Sequence, residues 1–263
     1  MFPYLLDFHA GTHAIRIPTY GFLLALGFTA AYFDALKNCM KQDEDPRHIE
    51  NIFLWVVLAS VIGARMFHVL FEELPYYMNH PSKIFAVWEG GYTLYGAILA
   101  SIVAIYLYTQ AKGIKFLNFV DFATPATALG IGIGRVGCFL AGCCWGKPCN
   151  LPWAVTFTHP ESFTSARNIP LHPVQLYEAF GAFLIYAYCT YRMNRRKHFG
   201  EVFFQGLILY SFLRFAVEFF RGDSYRGFVF GGAVSYGQMI SLVLVPLAAT
   251  GLFLYSRNQA RSK

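Results

Sequence analysis

Seven stretches of about twenty mainly apolar residues run through the chain, and they restrict its possible folds more than any other feature. They cover Tyr20 to Leu36, Ile52 to Phe71, Gly91 to Tyr108, Phe116 to Ala141, Pro173 to Tyr191, Val202 to Phe220 and Tyr236 to Tyr255. A hydrocarbon core about 30 Å thick takes about 20 apolar residues per helix, so the pattern predicts an all-α membrane protein with seven transmembrane helices. The balance of 56% hydrophobic against 14% charged residues excludes an ordinary soluble domain. No flexible linker, low-complexity tract or repeat divides residues 1–263, so they read as a single polytopic domain. The start, Met-Phe-Pro-Tyr-Leu-Leu-Asp, lacks the basic region and cleavage pattern of a secretory signal and is expected to be retained.

The formal charge of +6 could suggest nucleic acid, but basic residues beside transmembrane segments are explained by topology, and no nucleic-acid partner is expected. Twelve of the 21 Lys and Arg fall in the first, third and fifth inter-span segments and the tail. Arg16, Lys83, Lys147, Arg167, Arg221 and Arg226 fall on the other side, and Arg65, Arg135 and Arg214 lie within spans. The richer side is expected to be cytoplasmic, which puts the N-terminus outside and the C-terminus in the cytoplasm. That orientation places Tyr20, Arg65, Tyr95, Arg135, His172, Gln175, Tyr177, Glu178, Arg214, Glu218 and Arg221 toward the outer ends of the spans. Every conspicuous polar residue is therefore expected in one layer.

An arginine near the middle of a membrane helix costs about 2.5 to 3.5 kcal/mol on insertion scales. One reading is structural: Arg214 pairs with Glu218 one turn away, Arg65 caps backbone carbonyls and Arg135 snorkels. The functional reading is an anion site at headgroup depth, where guanidinium forks bind a phospholipid phosphate. The glycines Gly130, Gly132, Gly134, Gly137, Gly142 and Gly146 allow close helix packing there. Because Gly132-Ile-Gly134-Arg-Val-Gly137 follows no strand, it lacks the context of a dinucleotide-binding loop. A transporter or channel would need polar residues in the inner half and shows no internal repeat, so that reading is set aside.

In order along the chain come Tyr20-Gly21, Gly63-Ala64-Arg65, Gly90-Gly91-Tyr92-Thr93-Leu94-Tyr95-Gly96, Gly134-Arg135-Val136-Gly137-Cys138-Phe139, His172-Pro173-Val174-Gln175-Leu176-Tyr177-Glu178, Arg214 to Asp223, and Gly237-Gln238. Together these resemble the phosphatidylglycerol:prolipoprotein diacylglyceryl transferases. The resemblance implies a seven-helix enzyme of the bacterial inner membrane. Such an enzyme moves the diacylglyceryl group of phosphatidylglycerol onto the thiol of a prolipoprotein lipobox cysteine and releases glycerol phosphate. It implies that Arg135 and Arg214 handle the phosphate and that Glu218 orients Arg214. Tyr20, Arg65, Gln175, Glu178 and Arg221 would complete substrate binding. Where well-studied members carry His, Asn and Glu, this chain has Tyr95, Cys138 and Cys143. A phenol with a pKa near 10 replaces imidazole only if strongly shifted. Three readings stay open, namely Tyr95 activated by arginines, another group as the base, or a different reaction; a diverged lipid-binding protein is the second functional reading.

Cys138, Cys143, Cys144 and Cys149 cluster at the outer end of the fourth span, at a spacing that matches no standard zinc pattern. No metal or cofactor is expected. A disulfide from Cys143 or Cys144 to Cys149 is the first expectation, and a nucleophilic Cys138 or Cys143 beside Arg135 the second. His172, and less so His68, are the other possible bases, and the site set is therefore Arg135, Arg214, Tyr95, Cys138, Cys143 and His172 for catalysis.

Overall fold

In hydrocarbon, each backbone amide must find its partner within its own segment, so apolar runs of this length fold as helices. The computed structural model describes residues 3–10, 13–86, 88, 90–223 and 227–261. A hairpin of β1 (Tyr4–Ala10) and β2 (His13–Pro18) leads into α1 (Thr19–Met40). Then follow α2 (Arg47–Phe67), continued by a wider turn over His68–Glu72, a short α3 (Leu74–Asn79), α4 (Leu94–Lys112) and α5 (Phe116–Ala141). The chain ends with the two-stranded pair β3 (Val155–Thr156) and β4 (Pro170–Leu171), α6 (Val174–Met193), α7 (Glu201–Glu218), the pair β5 (Phe228–Val229) and β6 (Val234–Ser235), and α8 (Tyr236–Arg261). A helix thus lies on each of the seven predicted stretches. Among the described residues, four segments, Thr19–Met40, Arg47–Glu72, Phe116–Ala141 and Tyr236–Arg257, are long and apolar enough to cross a membrane. Arg226 and Lys263, counted in the charge asymmetry, and Met1 and Phe2 lie outside the described residues.

Two compact units form, Leu36–Phe119 and a larger one of Met1–Ala35 with Val120–Lys263. In the first, Arg65 is 5% exposed and directs its guanidinium at backbone carbonyls: Nε to Ile84 (3.1 Å), Nη2 to Lys83 (2.6 Å) and Ala86 (3.4 Å), Nη1 to Gly91 (3.3 Å) and Gly90. These bonds close the segment between α3 and α4 onto α2. Arg65 therefore caps backbone carbonyls of this unit. Gly63 and Gly96 let α2 and α4 touch, because a Cβ on Gly63 would lie 2.6 Å from the Gly96 carbonyl oxygen. His68 pairs with Glu72 (2.6 Å), and Glu72 accepts from Thr93 (2.7 Å), so His68 serves this unit's framework.

In the larger unit, buried Asp121 on α5 accepts hydrogen bonds from Arg196 (2.9 Å) and from the backbone amides of Gly200 (2.7 Å) and Phe203 (2.8 Å). A carboxylate there caps the start of α7 and meets its positive dipole end. This corrects the single polar layer expected from sequence. Asp121 lies near one end of α5 and Arg135 near the other, roughly 20 Å apart at about 1.5 Å per residue. A lone Asp near a helix start reads in sequence as a solvated group, and only its tertiary partners reveal its burial. Residues 142–173 carry their own small core of Trp145, Phe157 and Leu171, with Phe139 of α5 packed against it. Residues of the middle of α8, including Leu242, Val243 and Leu247, are exposed, as a lipid-facing stripe would be.

The glycine contact sets a test. Gly63→Ala should destabilise the protein by about 1–3 kcal/mol, since overpacking must push α2 and α4 apart. Gly21→Ala, whose new methyl would meet nothing within 4 Å, should instead stabilise by up to about 1 kcal/mol. Thermal unfolding in detergent followed by circular dichroism reads both signs, and equal shifts would contradict the packing described.

Candidate functional site

The larger unit gathers the C-terminal ends of α5 and α7 and the N-terminal ends of α6 and α8 around one carboxylate, Glu178. It is 2% exposed and sits in the second turn of α6. Arg135 of α5 reaches its Oε1 at 3.0 Å, Arg214 of α7 reaches its Oε2 at 3.1 Å, and the Tyr210 hydroxyl donates to Oε1 at 3.0 Å. Arg214 also bonds Glu218 one turn on (3.0 Å), and Gly237 in the first turn of α8 leaves room for that pair. Reciprocal bonds between Ser235 and Gln238, 3.2 Å each, cap α8 there. Cationic side chains at helix C-termini and anionic ones near N-termini both suit the helix dipoles.

Arg221 continues the row. It binds Asp223 through two parallel bonds of 2.9 and 2.6 Å and lies 3.9 Å from Glu218. Burial opposes its charge, but the Asp223 carboxylate, Cys144 and Glu218 raise its pKa above the usual arginine value. Three guanidiniums thus face three carboxylates, with unequal exposure. The Arg135 and Arg214 side chains are 20% and 16% exposed, while Glu178 and Glu218 are 2% and 1% exposed. The carboxylates lie behind and the cations in front, so the accessible side of a neutral network is positive. Such a face binds an anion with oxygens to share, above all a phosphate.

The loop after α5 brings sulfur to the same arginine. Gly142 ends the helix with φ +79°, and a Cβ there would collide with Ser162. Cys144 follows with φ 57°, a left-handed conformation rare for a side chain of its kind. That turn folds the loop back so that the sulfurs of Cys138, Cys143 and Cys144 lie within 4.8 Å of one another. Arg135 Nη1 is 3.7 Å from the Cys144 sulfur and 4.0 Å from that of Cys138. Bonds from Cys138 and Cys143, then the charges of Arg135 and Arg221, pull the Cys144 thiol well below its ordinary pKa, and the same thiol contacts push Cys143 up. Cys149 lies outside this trio and all six cysteines are free, so the expected disulfide to Cys149 is not formed. Buried Gln175 donates to the Cys143 carbonyl (2.7 Å), and its own carbonyl oxygen has no partner among the described residues.

Of the residues singled out in the sequence, Arg135, Cys138, Cys143, Gln175, Glu178, Arg214, Glu218 and Arg221 come together. Tyr20 opens α1 and packs on Gly137 of α5, where a Cβ would lie 3.4 Å from its ring. His172 belongs to an aromatic group instead, with Nδ1 3.2 Å from the Tyr177 hydroxyl and its ring 5.2 Å from that of Phe220. Tyr95, half-exposed in the first turn of α4, and Arg65 belong to the other unit. Sequence reading passed over Tyr210, although its spacing from Arg214 and Glu218 by successive single turns made a polar stripe visible. It undervalued Cys144, whose role depends on a backbone turn that no spacing rule reveals.

Comparison with known proteins gives the chain a family. The family model described as prolipoprotein diacylglyceryl transferase matches residues 8–255. The chain is similar to proteins named phosphatidylglycerol–prolipoprotein diacylglyceryl transferase. That of Finegoldia magna is 35% identical over 88% of this chain and 88% of its own length. The relative from Clostridium tetani is 33% identical over 95% and 96%, and that from Nitratidesulfovibrio vulgaris 32% over 93% and 90%.

Removing the central anion tests the network. Glu178→Ala leaves two poorly solvated guanidiniums without their shared anion and should cost about 3–5 kcal/mol of stability. Tyr210→Phe removes one hydrogen bond to a charged group and should cost about 1.5–3 kcal/mol. Denaturant unfolding of the two variants side by side checks the order; a smaller loss for Glu178→Ala than for Tyr210→Phe would mean that Glu178 is not the keystone.

Proposed function

The chain belongs to the prolipoprotein diacylglyceryl transferase family, and we propose that it transfers the diacylglyceryl group of phosphatidylglycerol to the thiol of a prolipoprotein lipobox cysteine, releasing glycerol phosphate. The observation that carries this reading is the partly exposed pair of guanidiniums, Arg135 and Arg214, backed by buried Glu178 and Glu218. A phosphodiester docking there meets N–H donors already oriented by those carboxylates. As the glyceryl carbon–oxygen bond breaks, charge accumulates on the phosphate oxygens, and preorganised donors stabilise that charge without reorganising. Glu178 and Glu218 position the arginines. Arg221 and Tyr20 border the site, and Gln175 has an acceptor to offer a hydroxyl of substrate. Tyr95 and His172 are assigned to proton handling, and Arg65 to substrate binding, on the family resemblance alone.

The same proposal makes the chain one multi-pass domain of the bacterial inner membrane, with seven spans, the N-terminus outside and the C-terminus in the cytoplasm. The family match across both compact units supports the single domain. The asymmetry of Lys and Arg supports the orientation. In that orientation the site opens at the outer leaflet, where both phosphatidylglycerol and a translocated prolipoprotein are accessible.

Complementation of a bacterium depleted of its own transferase tests the activity. The chain should restore growth and label transfer from phosphatidylglycerol to a lipobox peptide, and Arg135→Ala or Arg214→Ala should each lower transfer by at least about 100-fold. Lysine at either position should also fail, since it cannot form the two-pronged phosphate bond. Transfer unaffected by both alanine substitutions would sink the assignment. For orientation, an alkaline phosphatase fused after the last residue should stay inactive in whole cells, and full activity there would reverse the topology.

A further inference from the structure

The transferase reading leaves a chemical gap. A thiol near pH 7 is mostly protonated and a poor nucleophile, yet this chain carries neither the histidine nor the glutamate that the resemblance would supply at residues 95 and 143. Two of the three departures, Cys138 and Cys143, are members of the sulfur cluster, and Cys144 completes it.

Three thiols with sulfurs within 4.8 Å of one another form a set of soft ligands. Tetrahedral zinc with bonds of about 2.3 Å needs sulfurs roughly 3.8 Å apart. The sulfurs reach that spacing if the half-buried Cys143 and Cys144 side chains turn toward buried Cys138. Zinc with three thiolates carries one net negative charge, and the Arg135 guanidinium 3.7 and 4.0 Å from two of the sulfurs offsets it. The backbone carrying two of the sulfurs is also held in place: Cys144 takes a left-handed conformation, and Gln175 of α6 donates to the Cys143 carbonyl. No fourth His, Cys, Asp or Glu joins the group among the described residues. Three protein ligands and one open position are the mark of a catalytic rather than a structural zinc site.

We propose that Cys138, Cys143 and Cys144 bind one Zn²⁺ ion whose open position takes the thiol of the incoming prolipoprotein cysteine. This rests on the transferase reading and supplies its missing activation. On coordination the substrate thiol releases its proton to water, because a zinc-bound thiol is deprotonated. The bound sulfur then attacks the glyceryl carbon of phosphatidylglycerol. A carbon–sulfur bond forms, the carbon–oxygen bond to phosphate breaks, and its electron pair stays on the phosphate oxygen beside Arg135. Glycerol phosphate leaves with one more negative charge than the diester had, balancing the released proton. The neutral thioether is a weaker zinc ligand and departs, reopening the position. No oxidant or reductant takes part.

Cobalt makes the site visible. Titrating Co²⁺ into the reduced full-length protein in detergent should give one ion per chain, with a thiolate-to-cobalt charge-transfer band and tetrahedral visible absorption that Zn²⁺ abolishes. A lipobox peptide with cysteine should change the visible bands, and the same peptide with serine should not. Cys143→Ser and Cys144→Ser should each weaken metal binding by more than about 100-fold. Chelation of the wild-type protein should stop label transfer from phosphatidylglycerol, and Zn²⁺ should restore it. Absence of the charge-transfer band, a spectrum indifferent to the cysteine peptide, or undiminished transfer after chelation overturns the zinc proposal while leaving the transferase assignment intact. A zinc-loaded protein with the expected spectra that transfers nothing overturns the transferase assignment instead. The wild-type spectra and chelation do not depend on whether the serine variants fold.

Discussion

Glu178 holds one guanidinium on each of its carboxylate oxygens, and the larger unit is arranged around that fact. Arg135 and Arg214 come from different helices and would repel one another at this range by several kcal/mol, even at an effective dielectric constant of about 20. A shared anion turns the repulsion into a bridge between α5, α6 and α7. Because the anion is buried and the cations are partly exposed, the bridge presents positive charge outward without leaving any ion uncompensated. The interaction that joins the helix ends is thus also the one that leaves positive charge accessible, which the proposed function uses to receive phosphate.

The same helices are fixed at their other end by a different device. Asp121 neutralises Arg196 and caps α7 with two backbone bonds, so α5 and α7 are tied near both ends. Removal of either anion would leave charge in a poorly solvated setting, where the penalty exceeds what the pair contributed. The two clusters resemble one another in composition but differ in access: Asp121 and Arg196 are 0% and 8% exposed, whereas Arg135 and Arg214 remain reachable. That difference separates a structural ion pair from a site.

The loop following α5 links these charges to the thiols. Its own core of Trp145, Phe157 and Leu171 gives it a rigid base. The left-handed turn at Cys144 then places sulfur against Arg135. An imidazole base and a metal-bound thiol are two ways to produce a sulfur anion, and the proposed transfer needs one of them.

The sequence by itself determined the seven helical segments, because apolar runs of about twenty residues have no other way to satisfy their backbones in lipid. It also pointed to most of the charged network, since Arg135, Glu178, Arg214 and Glu218 are costly inside spans unless they are paired. It did not reveal that Arg65 spends its donors on carbonyls, that Asp121 makes a second buried cluster, or that Tyr210 supports Glu178. Nor did it separate Cys149 from the sulfur trio. Each of these depends on which groups meet across elements distant in the chain, or on a single backbone turn at Cys144. Local periodicity constrains which segments are helices, but the partners of a buried polar group are chosen by tertiary packing, and those partners decide whether it caps, bridges or binds.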